Sequence, residues 1–373
     1  MYRSEAESSN LNQGTEGPGR DRRAGRDSEG VRGEARGDSP SDTAANRAPE
    51  VAANDQRLTE QRNPRSARID QLSTLEIVDL INAEDRMVAQ AVGEERAEIA
   101  RCIEMVVDCF RRGGRLIYVG AGTSGRLGVL DAAEMPPTYG TDPGMVRGVI
   151  AGGFEALVRA QEGAEDLAED GAAAMDDAAV SELDFVLGIA TSGTTPYVHG
   201  ALARARSRGA RTGFLLCTYP SEDLATTHTV VIAPLVGPEV ITGSTRMKAG
   251  TATKMVLNTI TTAAMVKLGK VYGNLMVDLQ VTCQKLRDRG ERILMETLGV
   301  HRGEGARLLD RAEGHVKTAI VMGRLGVDRD EARRRLEEAG GVITRVTGEL
   351  HGAEAGEAGS DQDRSAAGGS DES

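Results

Sequence analysis

Three stretches of glycine and hydroxyl residues stand where they could cradle a small anion. Gly120-Ala121-Gly122-Thr123-Ser124-Gly125-Arg126 follows the apolar run Leu116-Ile117-Tyr118-Val119 and precedes a helical pattern. Thr191-Ser192-Gly193-Thr194-Thr195-Pro196 follows Phe185 to Ala190, again before a helix. Thr242-Gly243-Ser244-Thr245-Arg246-Met247-Lys248 opens a long helical pattern and adds two cations. Small residues let backbone N–H groups approach an anion, and a helix N-terminus adds a favourable dipole. Gly122, Thr123, Ser124, Ser192, Thr194, Thr195, Ser244 and Lys248 are therefore candidate ligand contacts. Each stretch alone is equally compatible with simple helix capping. Neither a P-loop nor a dinucleotide fingerprint is present.

Two carboxylates are candidates for proton transfer. Glu134 lies in Asp131-Ala132-Ala133-Glu134-Met135-Pro136-Pro137, at the end of a helical pattern that the Pro-Pro pair is expected to stop. A carboxylate at a helix C-terminus is electrostatically disfavoured, which hints at a purpose or at plain solvent exposure. Glu165 lies in Glu162-Gly163-Ala164-Glu165-Asp166, ahead of an acidic helix, where an acid is ordinary. Two carboxylates from separate loops can do acid–base work when they meet over one substrate. The five histidines, His199, His228, His301, His315 and His351, have no partners at catalytic or metal spacing and read as structural or surface residues. Cys102, Cys109, Cys217 and Cys283 form no metal-binding pattern and read as buried thiols.

The elements that must position these groups follow a simple rhythm. Five short apolar runs read as strands: 116–119, 146–150, 185–190, 213–217 and 229–233. Helical patterns such as 127–134 and 197–208 lie between most of them. That alternation predicts a parallel sheet with helices on both faces, whose ligands bind beyond the carboxyl ends of the strands. Two helices precede the sheet; the first opens on Ser73-Thr74-Leu75-Glu76, a capping box, and the second spans about 95–112 before Gly113-Gly114. Residues 250–267 form a long helix, a further helical stretch runs through Val277 and Leu286, and 304–346 carries three short helical patterns.

Composition narrows the partners. The 373 residues carry a formal charge of -12, which argues against nucleic acid. No apolar run reaches the ~20 residues of a membrane helix, and Arg22-Arg23 is followed by no apolar signal region, so a cytoplasmic protein is expected. Residues 1–65 and 350–373, rich in Gly, Ser, Ala and charge without apolar period, are expected to be disordered tails. Between them the expected organisation is N-terminal helices at 66–105, a sheet domain at 106–269 and a helical region at 270–349.

The quoted motifs, with Gly269-Lys-Val-Tyr-Gly-Asn-Leu-Met-Val-Asp278 and Gln71-Leu-Ser-Thr-Leu-Glu76, resemble the N-acetylmuramic acid 6-phosphate etherase family. The resemblance spans about 69–346. It implies an α/β sugar-isomerase (SIS) domain with a five-stranded parallel sheet flanked by helices, and a small C-terminal helical domain. It implies a homodimer with the active site near the subunit interface, a small-molecule sugar phosphate as substrate and no cofactor or metal. Glu134 and Glu165 match the family's acid–base pair, with Glu134 as acid for departing lactate and Glu165 as base at C2; the reverse assignment stays open. Thr123, Ser124 and Ser192 match its sugar-phosphate loops. Thr194 stands where Arg is typical, Thr245 where Ser is common and Met135 where Cys is frequent. A sugar-phosphate sensor like the glucokinase regulatory protein is the runner-up, and that protein carries two such domains in a longer chain. An aldose–ketose phosphate isomerase and a SIS-type transcription regulator are further alternatives.

Overall fold

The computed structural model describes residues 57–278, 281 and 283–348. The tails expected to be disordered lie outside these residues except at 57–65, which differ from the expectation. There the chain makes 3-10 turns at Leu58–Glu60 and Pro64–Ser66. Asn63 caps the second turn by accepting from the Arg65 N–H, with Pro64 in the first helical position. Order here comes from long-range contacts rather than apolar period. The Leu58 N–H donates to Thr218 Oγ1 at 3.0 Å, the Gly243 N–H to the Thr59 carbonyl at 3.1 Å, and Ser66 Oγ to the Val240 carbonyl at 2.7 Å.

Helix α1 (Thr74–Glu94) begins at the expected capping box, in which Ser73 and Glu76 satisfy each other's backbone donors. Helix α2 (Arg96–Arg111) buries Ile99, Cys102, Ile103, Val106, Val107 and Phe110 along one face. The sheet then builds from β1 (Leu116–Gly120), α3 (Gly122–Tyr139), β2 (Val146–Ile150), α4 (Glu155–Val158), α5 (Ala168–Asp177), β3 (Phe185–Ile189), α6 (Pro196–Ser207), β4 (Arg211–Leu215), α7 (Glu222–Thr227) and β5 (Val230–Ile232). All five strands pair in parallel, in the order β2-β1-β3-β4-β5.

Residues of β1 and β3 are wholly buried because helices cover both faces. Leu116, Tyr118, Phe185, Leu187 and Ile189 face one core with α1, α2, α3 and α8 (Lys248–Lys267). Ile117, Val119 and Val186 face the other, against α5 and α6. This period-two split explains why the strands read as continuous apolar runs. The strand order reverses direction between β1 and β3, the place where ligands bind in sheets of this kind.

Helix α3 does not stop at the prolines: Pro136 and Pro137 lie inside it, and Gly140 ends it in a left-handed conformation. Two prolines remove only the amide donors aimed at Ala132 and Ala133, and the final turn closes through the Gly140 N–H to the Pro136 carbonyl.

After α8 an antiparallel hairpin pairs β6 (Val271–Tyr272) with β7 (Leu275–Met276), where a helical stretch through Val277 was expected. The glycine and asparagine of the turn suit a two-residue hairpin loop. Helices α9 (Gln284–Leu298), α10 (Arg302–Arg311), α11 (Val316–Leu325), α12 (Arg329–Glu338) and α13 (Ile343–Thr347) then pack around a core of their own, centred on Leu294, Leu309, Val316 and Ile320. Cys102, Cys109 and Cys217 are buried as expected, but Cys283 is exposed, because it sits just ahead of α9 rather than on an apolar face. Among the described residues no helix is long and apolar enough to cross a membrane.

Candidate active site

A cleft of about 360 Å³ opens beyond the carboxyl ends of β1 and β3. The loop after β1 supplies Ala121, Gly122, Thr123 and Ser124; the loop after β3 supplies Thr191, Ser192, Thr194 and Thr195. Gly243 and Thr245 come from the third hydroxyl-rich stretch, and Glu165 and Asp166 from the turn before α5.

The β1 loop is tight for a steric reason. A Cβ at Gly125 would lie 2.7 Å from the Gly120 carbonyl oxygen and 2.6 Å from Ile150 Cγ1, so only glycine lets α3 start this close to the sheet. No side chain caps α3 at Ala121, which leaves the first-turn N–H groups available to a ligand. The Ser124 side chain enters from that same turn and is nearly buried. In the β3 loop, Ser192 Oγ and Thr194 Oγ1 are 3.1 Å apart.

Glu165 is tied to this loop through the main chain, its carbonyl accepting from the Tyr197 N–H at 3.0 Å. Helices α5 and α6 meet backbone to backbone to permit this. A Cβ at Gly200 would sit 1.9 Å from the Ala168 carbonyl oxygen. The acidic turn and the β3 loop are thereby held as one wall.

Two of the expected contacts fall outside the cleft lining. Ser244 is flanked by lining residues without joining them. Lys248 likewise does not line the cleft; it is a buried cation. Its Nζ lies 2.7 Å from Glu84 Oε2, and both side chains are 1% exposed. Glu84 also accepts from Arg65 and from Asn63 Nδ2. Burial works to raise the Glu84 carboxyl, but hydrogen bonds from Arg65, Lys248 and Asn63 hold it below its usual value. Glu239 caps α8, accepting from the Lys248 and Ala249 N–H groups at 3.0 and 2.9 Å; burial nonetheless pushes its carboxyl up.

Glu134 is exposed on α3 and does not line this cleft. It stands ten residues beyond Ser124, about 15 Å along the helix at ~1.5 Å per residue. The helix that carries it is anchored by Asp131, which accepts from Tyr118 Oη at 2.9 Å, Asn258 Nδ2 at 2.6 Å and Thr261 Oγ1 at 3.2 Å. Burial raises the Asp131 carboxyl, partly offset by those hydrogen bonds.

Arg57 and Glu60 line the cleft from the segment assigned by sequence to the tail. Asn63-Pro64 marks a turn nearby, but no local pattern points to Arg57 or Glu60 themselves. His199 has the structural place read from the sequence: its Nε2 lies 2.8 Å from the Gly193 carbonyl. Among the described residues no group of three or more His, Cys, Asp or Glu side chains could hold a metal ion.

The profile of a family described as the glucokinase regulatory protein N-terminal SIS domain matches residues 98–206, from α2 through α6. An N-acetylmuramic acid 6-phosphate etherase of Trichormus variabilis is 56% identical over 265 residues, covering 71% of this chain and 86% of that protein. The chain belongs to the N-acetylmuramic acid 6-phosphate etherase family. A member from Salinibacter ruber, 56% identical over 264 residues, covers 71% of the chain and 85% of its own length. Among solved structures, phosphoheptose isomerase from Neisseria gonorrhoeae is similar at 17% identity and a TM-score of 0.40, over 52% of this chain and 98% of that one. The match to the SIS family model spans β1 and β3, the strands that form the cleft.

Proposed function

We propose that the protein cleaves the D-lactyl ether of N-acetylmuramic acid 6-phosphate, giving N-acetylglucosamine 6-phosphate and D-lactate, in the recycling and catabolism of cell-wall amino sugars in the cytoplasm. The observation that carries this reading is one cleft holding Thr123, Ser124, Ser192 and Glu165 together, in a chain 56% identical to named etherases. The phosphate is received by the open N-terminus of α3 with the Thr123 and Ser124 hydroxyls. In the open-chain sugar the C1 aldehyde acidifies the C2 proton. Glu165, in the cleft wall, removes that proton. Lactate leaves from C3 as a second carboxyl donates a proton to the ether oxygen. Water then adds across the C2–C3 double bond of the unsaturated aldehyde, restoring a C2 proton and a C3 hydroxyl. This chemistry needs proton transfers and no redox change.

Glu134 is the proposed acid. Its exposed place on α3, away from its own chain's cleft, suits a homodimer in which it serves the cleft of a second copy. The resemblance of the motifs to a dimeric family with its site near the interface supports that arrangement.

The direct test incubates the purified chain with N-acetylmuramic acid 6-phosphate and follows D-lactate with a coupled dehydrogenase. Stoichiometric D-lactate and N-acetylglucosamine 6-phosphate are expected. Binding without turnover would make the protein a sensor, and conversion of a sugar phosphate without lactate would make it an isomerase; either result overturns the proposal.

A further inference from the structure

Arg57 is the one Lys or Arg side chain in the lining of the cleft among the described residues. The same lining carries three carboxylates, Glu60, Glu165 and Asp166. The substrate of the proposed reaction brings two further anionic groups, the phosphate on C6 and the carboxylate of the lactyl ether on C3. The α3 N-terminus and its hydroxyls are suited to the phosphate. They offer nothing to a second anion at the other end of the sugar. A carboxylate entering beside three acidic side chains is repelled unless a full positive charge faces it.

Arg57 is placed to supply that charge. Its Nη1 lies 3.5 Å from Thr194 Oγ1, at the long end of the hydrogen-bonding range, which sets the guanidinium against the β3 loop rather than in the first turn of α3. The residue is not on a loose end. The next two residues are pinned through their main chain, the Leu58 N–H donating to Thr218 Oγ1 and the Thr59 carbonyl accepting from the Gly243 N–H, and Thr59 is buried. The backbone therefore holds Arg57 in the cleft wall before any ligand arrives, so little ordering is left to be done on binding.

We infer that Arg57 binds the lactyl carboxylate of the substrate, and that it is the residue by which the cleft tells the ether from its product. The planar guanidinium fork matches a carboxylate with two parallel N–H donors. N-acetylglucosamine 6-phosphate keeps the phosphate but has no carboxylate. Arg57 thus favours the substrate over the product that shares the phosphate subsite, and product release is eased once lactate has gone. This inference rests on the proposed etherase reaction.

The test compares two ligands in one variant. In R57A the KM for N-acetylmuramic acid 6-phosphate should rise roughly ten- to hundredfold, the range expected for losing a hydrogen-bonded ion contact. The inhibition constant of N-acetylglucosamine 6-phosphate should stay within about twofold, since no phosphate contact has changed. R57K should recover part of the loss, as a point charge without the fork. Equal weakening of both ligands would assign Arg57 to the phosphate and overturn the inference. Unchanged constants for both would make it part of the wall only, with the same consequence. Should R57A fail to fold, as judged by thermal melting, R57Q carries the identical comparison. Failure of the etherase reading itself is distinguishable, because the wild-type chain would then release no lactate.

Discussion

The Nε2 of His199 donates to the carbonyl oxygen of Gly193 across 2.8 Å, joining the first turn of α6 to the loop that ends β3. A carbonyl can only accept, so Nε2 must carry the hydrogen. The ring also packs on Phe214, at 5.4 Å between centroids. Gly193 has a φ of 77°, and the loop around it presents Ser192 and Thr194 to the cleft. The imidazole therefore fixes the spacing of two cleft-lining hydroxyls without itself lining the cleft.

Replacing His199 by Ala should loosen that loop. The KM for the sugar phosphate is expected to rise about three- to tenfold, the scale of one net hydrogen bond, with kcat nearly unchanged. His199→Gln can return an N–H donor to the place of Nε2 and should restore most of the affinity. Equal behaviour of the Ala and Gln variants would show that the contact does not position the loop.

The pair between Lys248 and Glu84 makes a contrasting prediction. Both groups are buried, so removing Lys248 leaves the Glu84 carboxylate inside the protein with the largely exposed Arg65 as its remaining cation. Lys248→Met should lower unfolding stability by about 3–5 kcal/mol, while Lys248→Met with Glu84→Gln should regain part of that loss. Denaturant titration measures it. Were Lys248 instead a ligand contact, the single variant would raise KM with stability almost intact.

Buried parallel strands write themselves as apolar runs, and the glycine–hydroxyl turns after 116–120 and 185–189 mark the strand ends, so the sheet and most of the cleft were legible. Lys248 was not, because the carboxylate that claims it lies 164 positions away and only tertiary packing brings the two together. Arg57 and Glu60 were hidden for the same reason: their segment is ordered by Thr218 and Gly243, not by a local pattern. The end of α3 was misjudged because prolines in a final turn forfeit few hydrogen bonds, and the helix continues through them to Gly140.

A pH dependence should come from His228. It is buried beside Phe214, shares a 3.0 Å hydrogen bond with Thr212 Oγ1, and burial pushes its imidazole down to about 4, with Arg206 adding to the shift. The unfolded chain takes up that proton near the ordinary value of about 6.5, the folded chain only near 4. Between those values the unfolded state holds more protons, so stability falls as the pH is lowered through the window and the contribution is gone below it. The melting temperature should drop on going from pH 7 to pH 4.5. His228→Asn, which keeps a hydrogen-bonding atom near the place of Nδ1, should flatten that slope. An unchanged slope in the variant would assign the pH dependence to other groups.

The sharpest prediction concerns Glu134 and Glu165. Glu165→Gln removes the proposed base in the cleft wall and should suppress both exchange of the C2 proton with deuterated solvent and lactate release. Glu134→Gln keeps size and hydrogen bonding but cannot protonate the departing oxygen, so lactate release should collapse while C2 exchange persists. Each loss should be of order 10²-fold or more with melting temperatures little changed. Glu134 lies about 15 Å along α3 from Ser124, which leads to a further outcome when the two inactive chains are coexpressed with different tags. Random pairing makes about half the dimers mixed. In a mixed dimer one cleft combines an intact Glu165 with the partner chain's intact glutamate on α3, and the other cleft has neither. About a quarter of the wild-type activity should therefore return, since one site in two is rebuilt in half the dimers. If both glutamates serve a cleft within one chain, no mixed dimer contains a complete site and the mixture stays inactive. That result would place the proton donor in the same subunit as the base. Exchange lost in Glu134→Gln and kept in Glu165→Gln would instead reverse the two roles while leaving the complementation unaffected. Near-normal turnover in both single variants would remove the pair from the chemistry altogether, leaving Glu134 as an exposed acid on α3 and Glu165 as part of the turn before α5.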